Sequence, residues 1–79
     1  MISSGQLRGA RALLGLSQAE VAERAQVSVP TVKRAEGGSE IKASDKAVQA
    51  IAAALEAAGV IFVEENGEGP GVRLRKERP

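Results

Sequence analysis

The sequence predicts a mainly α fold, four helices followed by a C-terminal β-hairpin, and three observations carry that prediction. The patterns Ser3-x-x-Gln6 and Ser17-x-x-Glu20 and the run Ser28-Val29-Pro30 each mark a helix start. Val48, Ile51, Ala52 and Leu55 fall at i, i+3, i+4 and i+7, the spacing of one helix face. Beyond Gly59 the helical period gives way to Val60-Ile61-Phe62-Val63 and then Val72-Arg73-Leu74-Arg75, with a Gly- and Glu-rich stretch between them.

In chain order, Ser3 and Gln6 form a capping pattern ahead of Leu7, Ala10 and Leu14, and Gly15 interrupts that first helix. Ser17 opens the second, over about residues 18–25, its hydroxyl accepting from the Glu20 amide while the Glu20 carboxylate reaches back. Val21, Ala22 and Ala25 give it an apolar stripe. After a tight Gln26-Val27 connection, Ser28 caps a third helix. Pro30 suits its first turn, where an amide hydrogen has no partner in any case. That helix ends near Glu36, stopped by Gly37-Gly38, and residues 37–43 read as loop. Ser44-Asp45 opens the fourth helix, and Gly59 closes it. In the hairpin, Asn66-Gly67 suits a tight turn, whereas Gly69-Pro70-Gly71 points to a longer loop. A lone two-stranded hairpin is marginal in water, so it needs a helix beneath it or strands from another chain. The helical unit is expected over residues 1–59, and the hairpin with a basic tail, fraying from Lys76 onward, over 60–79.

Composition narrows the function. The 79 residues suit one small domain, with no room for an enzyme whose cleft lies between lobes. One Phe and no Trp or Tyr leave the core to Ala, Val, Leu and Ile. The absence of Cys and His removes disulfides, the usual zinc ligands and an imidazole base, so no metal or cofactor is expected. No glycine-rich phosphate loop or paired-carboxylate motif is present either, and an enzyme is not expected. No apolar run approaches the roughly 18 residues of a membrane span, and the N-terminus lacks a signal-peptide pattern, so no membrane partner and a cytoplasmic location are expected. The net charge of +1 is low for a nucleic-acid binder. Up to Ser44, however, six basic residues face four acidic ones.

Two short helices joined by a turn of three or four residues, with a third packed behind, offer one helix to the DNA major groove. Here Leu16-Ser17-Gln18-Ala19-Glu20-Val21-Ala22, followed by Val27-Ser28-Val29-Pro30-Thr31-Val32-Lys33-Arg34-Ala35-Glu36, resembles the Cro/CI-type (XRE) helix-turn-helix regulators. The resemblance spans roughly residues 5–58 and implies a four-helix lambda-repressor-like DNA-binding domain. In that family a Gln at the start of the second helix hydrogen-bonds a DNA phosphate, a role the resemblance gives to Gln18. At about 100° per residue, Val32 and Ala35 share one face of the third helix, Pro30, Lys33 and Arg34 lie opposite, and Val29 is on the flank. By resemblance Val29, Pro30, Lys33 and Arg34 approach base edges, where Lys or Arg donates to guanine and Val or Pro touches a thymine methyl. Thr31 and Lys42 are expected phosphate contacts, and Arg8 a further one. Arg11 and Glu36 stand where family members form a partly buried ion pair.

The sequence departs from the family pattern at two positions. Gln26 fills a turn position that is Gly in many members, and a left-handed backbone there costs about 1 kcal/mol. Ala35 stands where a larger Leu is common, so the third helix either sits closer to the core or is held less firmly. The hairpin lies outside the family's core. Its Ile61, Phe62, Val63, Val72 and Leu74 supply apolar area, and its open edges can pair across a two-fold axis, so a homodimer is expected. A monomer with the hairpin packed on the fourth helix is the alternative. Arg73, Arg75, Lys76 and Arg78 read as a solvent face balancing the acidic loop, or as a phosphate-touching wing. The functional expectation is a sequence-specific, double-stranded DNA-binding transcriptional regulator on a two-fold operator. The competing readings are an antitoxin or anti-regulator with a protein partner, and an excision or architectural factor of a mobile element.

Overall fold

The computed structural model describes residues 2–76. Met1 and residues 77–79, and with them Arg78 and most of the tail expected to fray, lie outside the described residues. The element order is α1 (Ser4–Leu14), α2 (Gln18–Ala25), α3 (Val29–Ala35), α4 (Asp45–Ala58), β1 (Val60–Val63) and β2 (Gly71–Leu74), with the two strands antiparallel. The predicted mainly α fold with a C-terminal hairpin is the observed one. Among the described residues, no helix is long and apolar enough to cross a membrane.

Four serines start the four helices. Ser3, Ser17, Ser28 and Ser44 accept from the amides of Gln6, Glu20, Thr31 and Ala47 at 3.1, 3.0, 3.2 and 3.1 Å. At the first two the box is reciprocal, since Gln6 and Glu20 accept in return from the Ser3 and Ser17 amides at 2.8 and 2.9 Å. The first three helices also end alike. In each, the residue after the cap turns left-handed or the cap itself does, and two amides fold back onto the last carbonyls: Gly15 and Leu16 after α1, Gln26 and Val27 after α2, Gly37 and Gly38 after α3. Gly15 and Gly37 adopt φ of 69° and 84° freely, but Gln26 holds φ 58° with a side chain attached.

The core is built from every helix and closed by the hairpin. Leu7, Val21, Val32, Ile51, Leu55 and Val60 are the largest side chains that are fully buried. Val60 begins β1, so the sheet starts inside the core. The register pairs Val60 with Leu74, Ile61 with Arg73, Phe62 with Val72 and Val63 with Gly71. Phe62 and Val72 pack against the core of their own chain. A side chain built at Gly9 would stand 3.3 Å from Val72, so β2 runs directly along α1.

Two polar side chains fasten the hairpin. Gln6 is buried, and its Nε2 donates to the carbonyls of Val63 and Gly71 at 3.1 and 2.9 Å, which closes the loop end of the ladder. At the other end the Arg75 amide donates to Gly59 O at 2.7 Å, and its guanidinium reaches Glu56 O at 3.3 Å, supplying the cation that the last turn of α4 lacks. The connection over residues 64–70 is the longer of the two expected loops. It is organised by Glu65, whose carboxylate accepts from the amides of Gly67 and Gly69 at 2.7 and 2.8 Å. Those amides, Gly69 first, hold the Glu65 carboxyl below the usual carboxylate range.

Two substitutions test these points. Gln26→Gly is expected to stabilise the chain by up to about 1 kcal/mol by relieving the left-handed side chain, and Gln26→Val to destabilise it, both read from urea melts. Gln6→Glu keeps the acceptor that caps α1 but sets an oxygen against two carbonyls. It is expected to cost about 2–3 kcal/mol and to speed hydrogen exchange of the strand amides before those of α2.

Candidate nucleic-acid interface

The turn between α2 and α3 is three residues long, and local chemistry fixes both sides of it. Ser17 and Glu20 start α2. The Ser17 amide, then its hydroxyl, and the nearby Arg24 charge together hold the Glu20 carboxyl below its ordinary range. Ser28 starts α3, and its hydroxyl also shares a 2.8 Å hydrogen bond with the Thr31 hydroxyl. Thr31, read as a phosphate contact, therefore already has a partner within the helix start.

Helix α3 divides its sides as the periodicity requires. Val32 and Ala35 are buried, Val29 packs partly on the core, and Pro30, Lys33 and Arg34 are exposed. At the departure from the family pattern, Ala35 is itself only 7% exposed and sits in the core. Glu36, the C-cap, is buried as well.

An ion pair sets the pose of α3. Arg11 on α1 donates through Nε to Glu36 Oε2 at 2.8 Å and through Nη2 to Glu36 Oε1 at 3.0 Å. This two-pronged contact is the strong form of a guanidinium–carboxylate pair, and it raises the Arg11 pKa above its ordinary value. A third prong, Nη1 to Leu16 O at 3.2 Å, ties the same guanidinium to the turn before α2. Gln18, in the first turn of α2, completes the cluster by donating from Nε2 to Glu36 Oε1 at 3.1 Å.

Four of the residues expected to meet DNA, Gln18, Lys33, Arg34 and Lys42, line two depressions, and Val29, Pro30 and Thr31 line neither. Gln18 and Lys33 line one of about 330 Å³ together with Arg8, Arg11, Glu36 and Gly38. Arg34 and Lys42 line another of about 370 Å³, between the end of α3 and the start of α4, where Glu40 and Asp45 also stand. Lys33 and Arg34 are adjacent in sequence but line different hollows, their directions separated by about 100° along the helix. Val29 and Pro30 lie in the first turn of α3. The residues named for a dimer contact divide too: Phe62 and Val72 cover the core, while Ile61 and Val63 alternate onto the opposite face and Leu74 is 51% exposed. The hairpin clamp of Gln6 and the bond from Gln18 to Glu36 were not foreseen. Gln6 signals only a helix cap in sequence, and Gln18 signals, by resemblance, a phosphate contact but no bond to Glu36.

A serine-capped helix, a three-residue turn and a second helix with one exposed cationic side define a helix-turn-helix domain. The chain belongs to that family, whose model matches residues 4–60, from the start of α1 to the first residue of β1. The class binds DNA, with the second helix of the motif as the reading element. No curated protein matches the sequence.

The lowered Glu20 and Glu65 carboxyls give a pH dependence with a defined sign. Each contributes stability that is complete above the ordinary glutamate range and is lost as the pH falls through its lowered folded value. Ser17→Ala, which removes one of the Glu20 donors, is expected to make the acid limb of the stability curve shallower. Melting temperatures measured across the acid range check this.

Proposed function

We propose that the chain is a transcriptional regulator that reads double-stranded DNA by specific base contacts from α3 in the major groove and acts as a homodimer on a two-fold operator. The observation that carries this reading is the division of α3. Its inward side is anchored by Val32, Ala35 and the Arg11–Glu36 pair, so that Pro30, Lys33 and Arg34 are held outward on a fixed support. Gln18, Arg8 and Lys42 flank that side and suit phosphates, and Val29 and Pro30 suit a thymine methyl. Residues 4–60 form the DNA-binding unit, and the hairpin adds the dimer contact.

Selection of bound duplexes from a random pool tests base reading. Lys33→Ala and Arg34→Ala are each expected to relax the selected motif at one position per half-site and to weaken binding about tenfold or more. Selection of the same motif with equal affinity by both variants would overturn the assignment.

The dimer reading is supported by Ile61 and Val63 on the hairpin face turned away from Phe62 and Val72, by Leu74, which lies on the core-side face with Val60 and is still 51% exposed, and by the outer edge of each strand, unpaired among the described residues. Phe62 and Val72 give rigidity to that face rather than direct contact. Sedimentation of an Ile61→Lys, Val63→Lys double variant is expected to show a monomer with unchanged helicity. A dimer that survives both lysines sinks the hairpin interface.

A further inference from the structure

Glu36 has more acceptor capacity than Arg11 uses, and Gln18 takes part of it. A carboxylate offers about four lone-pair sites. Arg11 occupies one on Oε2 and one on Oε1, and Gln18 Nε2 reaches Oε1 at 3.1 Å. An amide nitrogen carries two hydrogens in one plane, so fixing one of them fixes the direction of the other. Gln18, Glu36, Arg8 and Lys33 line the same depression. The second N–H of Gln18 therefore belongs to a group already oriented beside two cations.

We infer that Glu36 is a positioning residue for DNA binding: it holds the Gln18 amide in the orientation in which its free N–H meets a DNA phosphate, while Arg11 neutralises the carboxylate so that the phosphate does not face an unpaired negative charge. This rests on the DNA-binding reading above. Three features of the site agree with it. Glu36 is 5% exposed, so its carboxylate is a fixed reference point and not a mobile surface group. Arg11 also bonds Leu16 O, which steadies the turn from which Gln18 departs. Gln18 sits in the first turn of α2, whose amides favour an anion at the same place.

A thermodynamic cycle separates positioning from mere stability. Glu36→Gln alone leaves a guanidinium poorly paired and endangers the fold, so the pair is replaced together as Arg11→Met, Glu36→Leu, which apolar packing tolerates. Circular dichroism verifies the fold. Affinity is measured for a duplex that the wild-type chain recovers from the random pool. Gln18→Ala is expected to weaken binding about tenfold in the wild type, the scale of one hydrogen bond to a charged group. In the apolar-pair background it is expected to weaken binding less than about twofold, because the amide has already lost its hold. An equal effect of Gln18→Ala in both backgrounds overturns the inference, as does no effect in the wild type. Failure of the wild type to recover any duplex instead overturns the DNA-binding reading and takes this inference with it.

A second measurement needs no change to the pair. In the free wild-type protein one Gln18 side-chain N–H proton is expected to exchange slowly with solvent in NMR spectra, and the other to become protected when the duplex is added. Fast exchange of both protons in the free protein overturns the inference even if the apolar-pair variant does not fold.

Discussion

A carboxylate buried at the end of α3 must be neutralised, and the way this is done organises the helical unit. Glu36 receives Arg11 from α1 and Gln18 from α2, so one side chain ties three helices at a single point. Removing one partner of a buried pair typically costs about 3–5 kcal/mol, a large share of the stability available to a chain of this size. The exposed residues of α3 inherit their direction from that point. A purely apolar contact would have held α3 with less orientational demand, because dispersion contacts tolerate sliding and a bidentate guanidinium does not.

The hairpin answers a different shortage. Without Trp or Tyr the helices bury mostly small side chains, and Ala10, Ala22, Ala35 and Ala52 together leave the core thin. Val60, Phe62 and Val72 thicken it from outside the helix-turn-helix motif. Main-chain groups exposed at the loop end of so short a ladder would fray in water, and Gln6 meets two of the carbonyls there from a buried position. The same side chain caps α1, which means that the start of the first helix and the far end of the chain share one polar group.

What was legible in the sequence is what local chemistry decides. Serine caps act over three residues, and all four helix starts were readable from them. The left-handed turn at Gln26 was readable as a condition, and it is met. The sides of α3 followed from its period. The unread features join distant residues: Gln6 to Val63 and Gly71, Arg75 to the end of α4, Gln18 to Glu36. Each depends on how the chain returns, which no window of neighbouring residues encodes. The division of Lys33 and Arg34 between two hollows belongs here too, since the period separates their directions but only the packed neighbours define where each one leads.

The near-neutral charge of the chain takes on a different meaning once its acids are located. Glu36 is paired with Arg11, whereas Glu20 caps α2 and keeps its charge. Glu65 is spent on the amides of the hairpin loop, which it shares with Glu64 and Glu68. Of the charged groups that line the depression at Gln18, Arg11 and Glu36 pair with each other, which leaves Arg8 and Lys33, both exposed. Arg34 and Lys42 have Glu40 and Asp45 beside them, so the field of that second hollow is partly cancelled. Exposed charges act over about a Debye length, roughly 8–10 Å in ordinary salt, so local bookkeeping governs what a phosphate meets and the sum over the chain does not. On that footing the depression at Gln18 has the less cancelled positive lining of the two, and it is lined by the pair that joins α3 to α1.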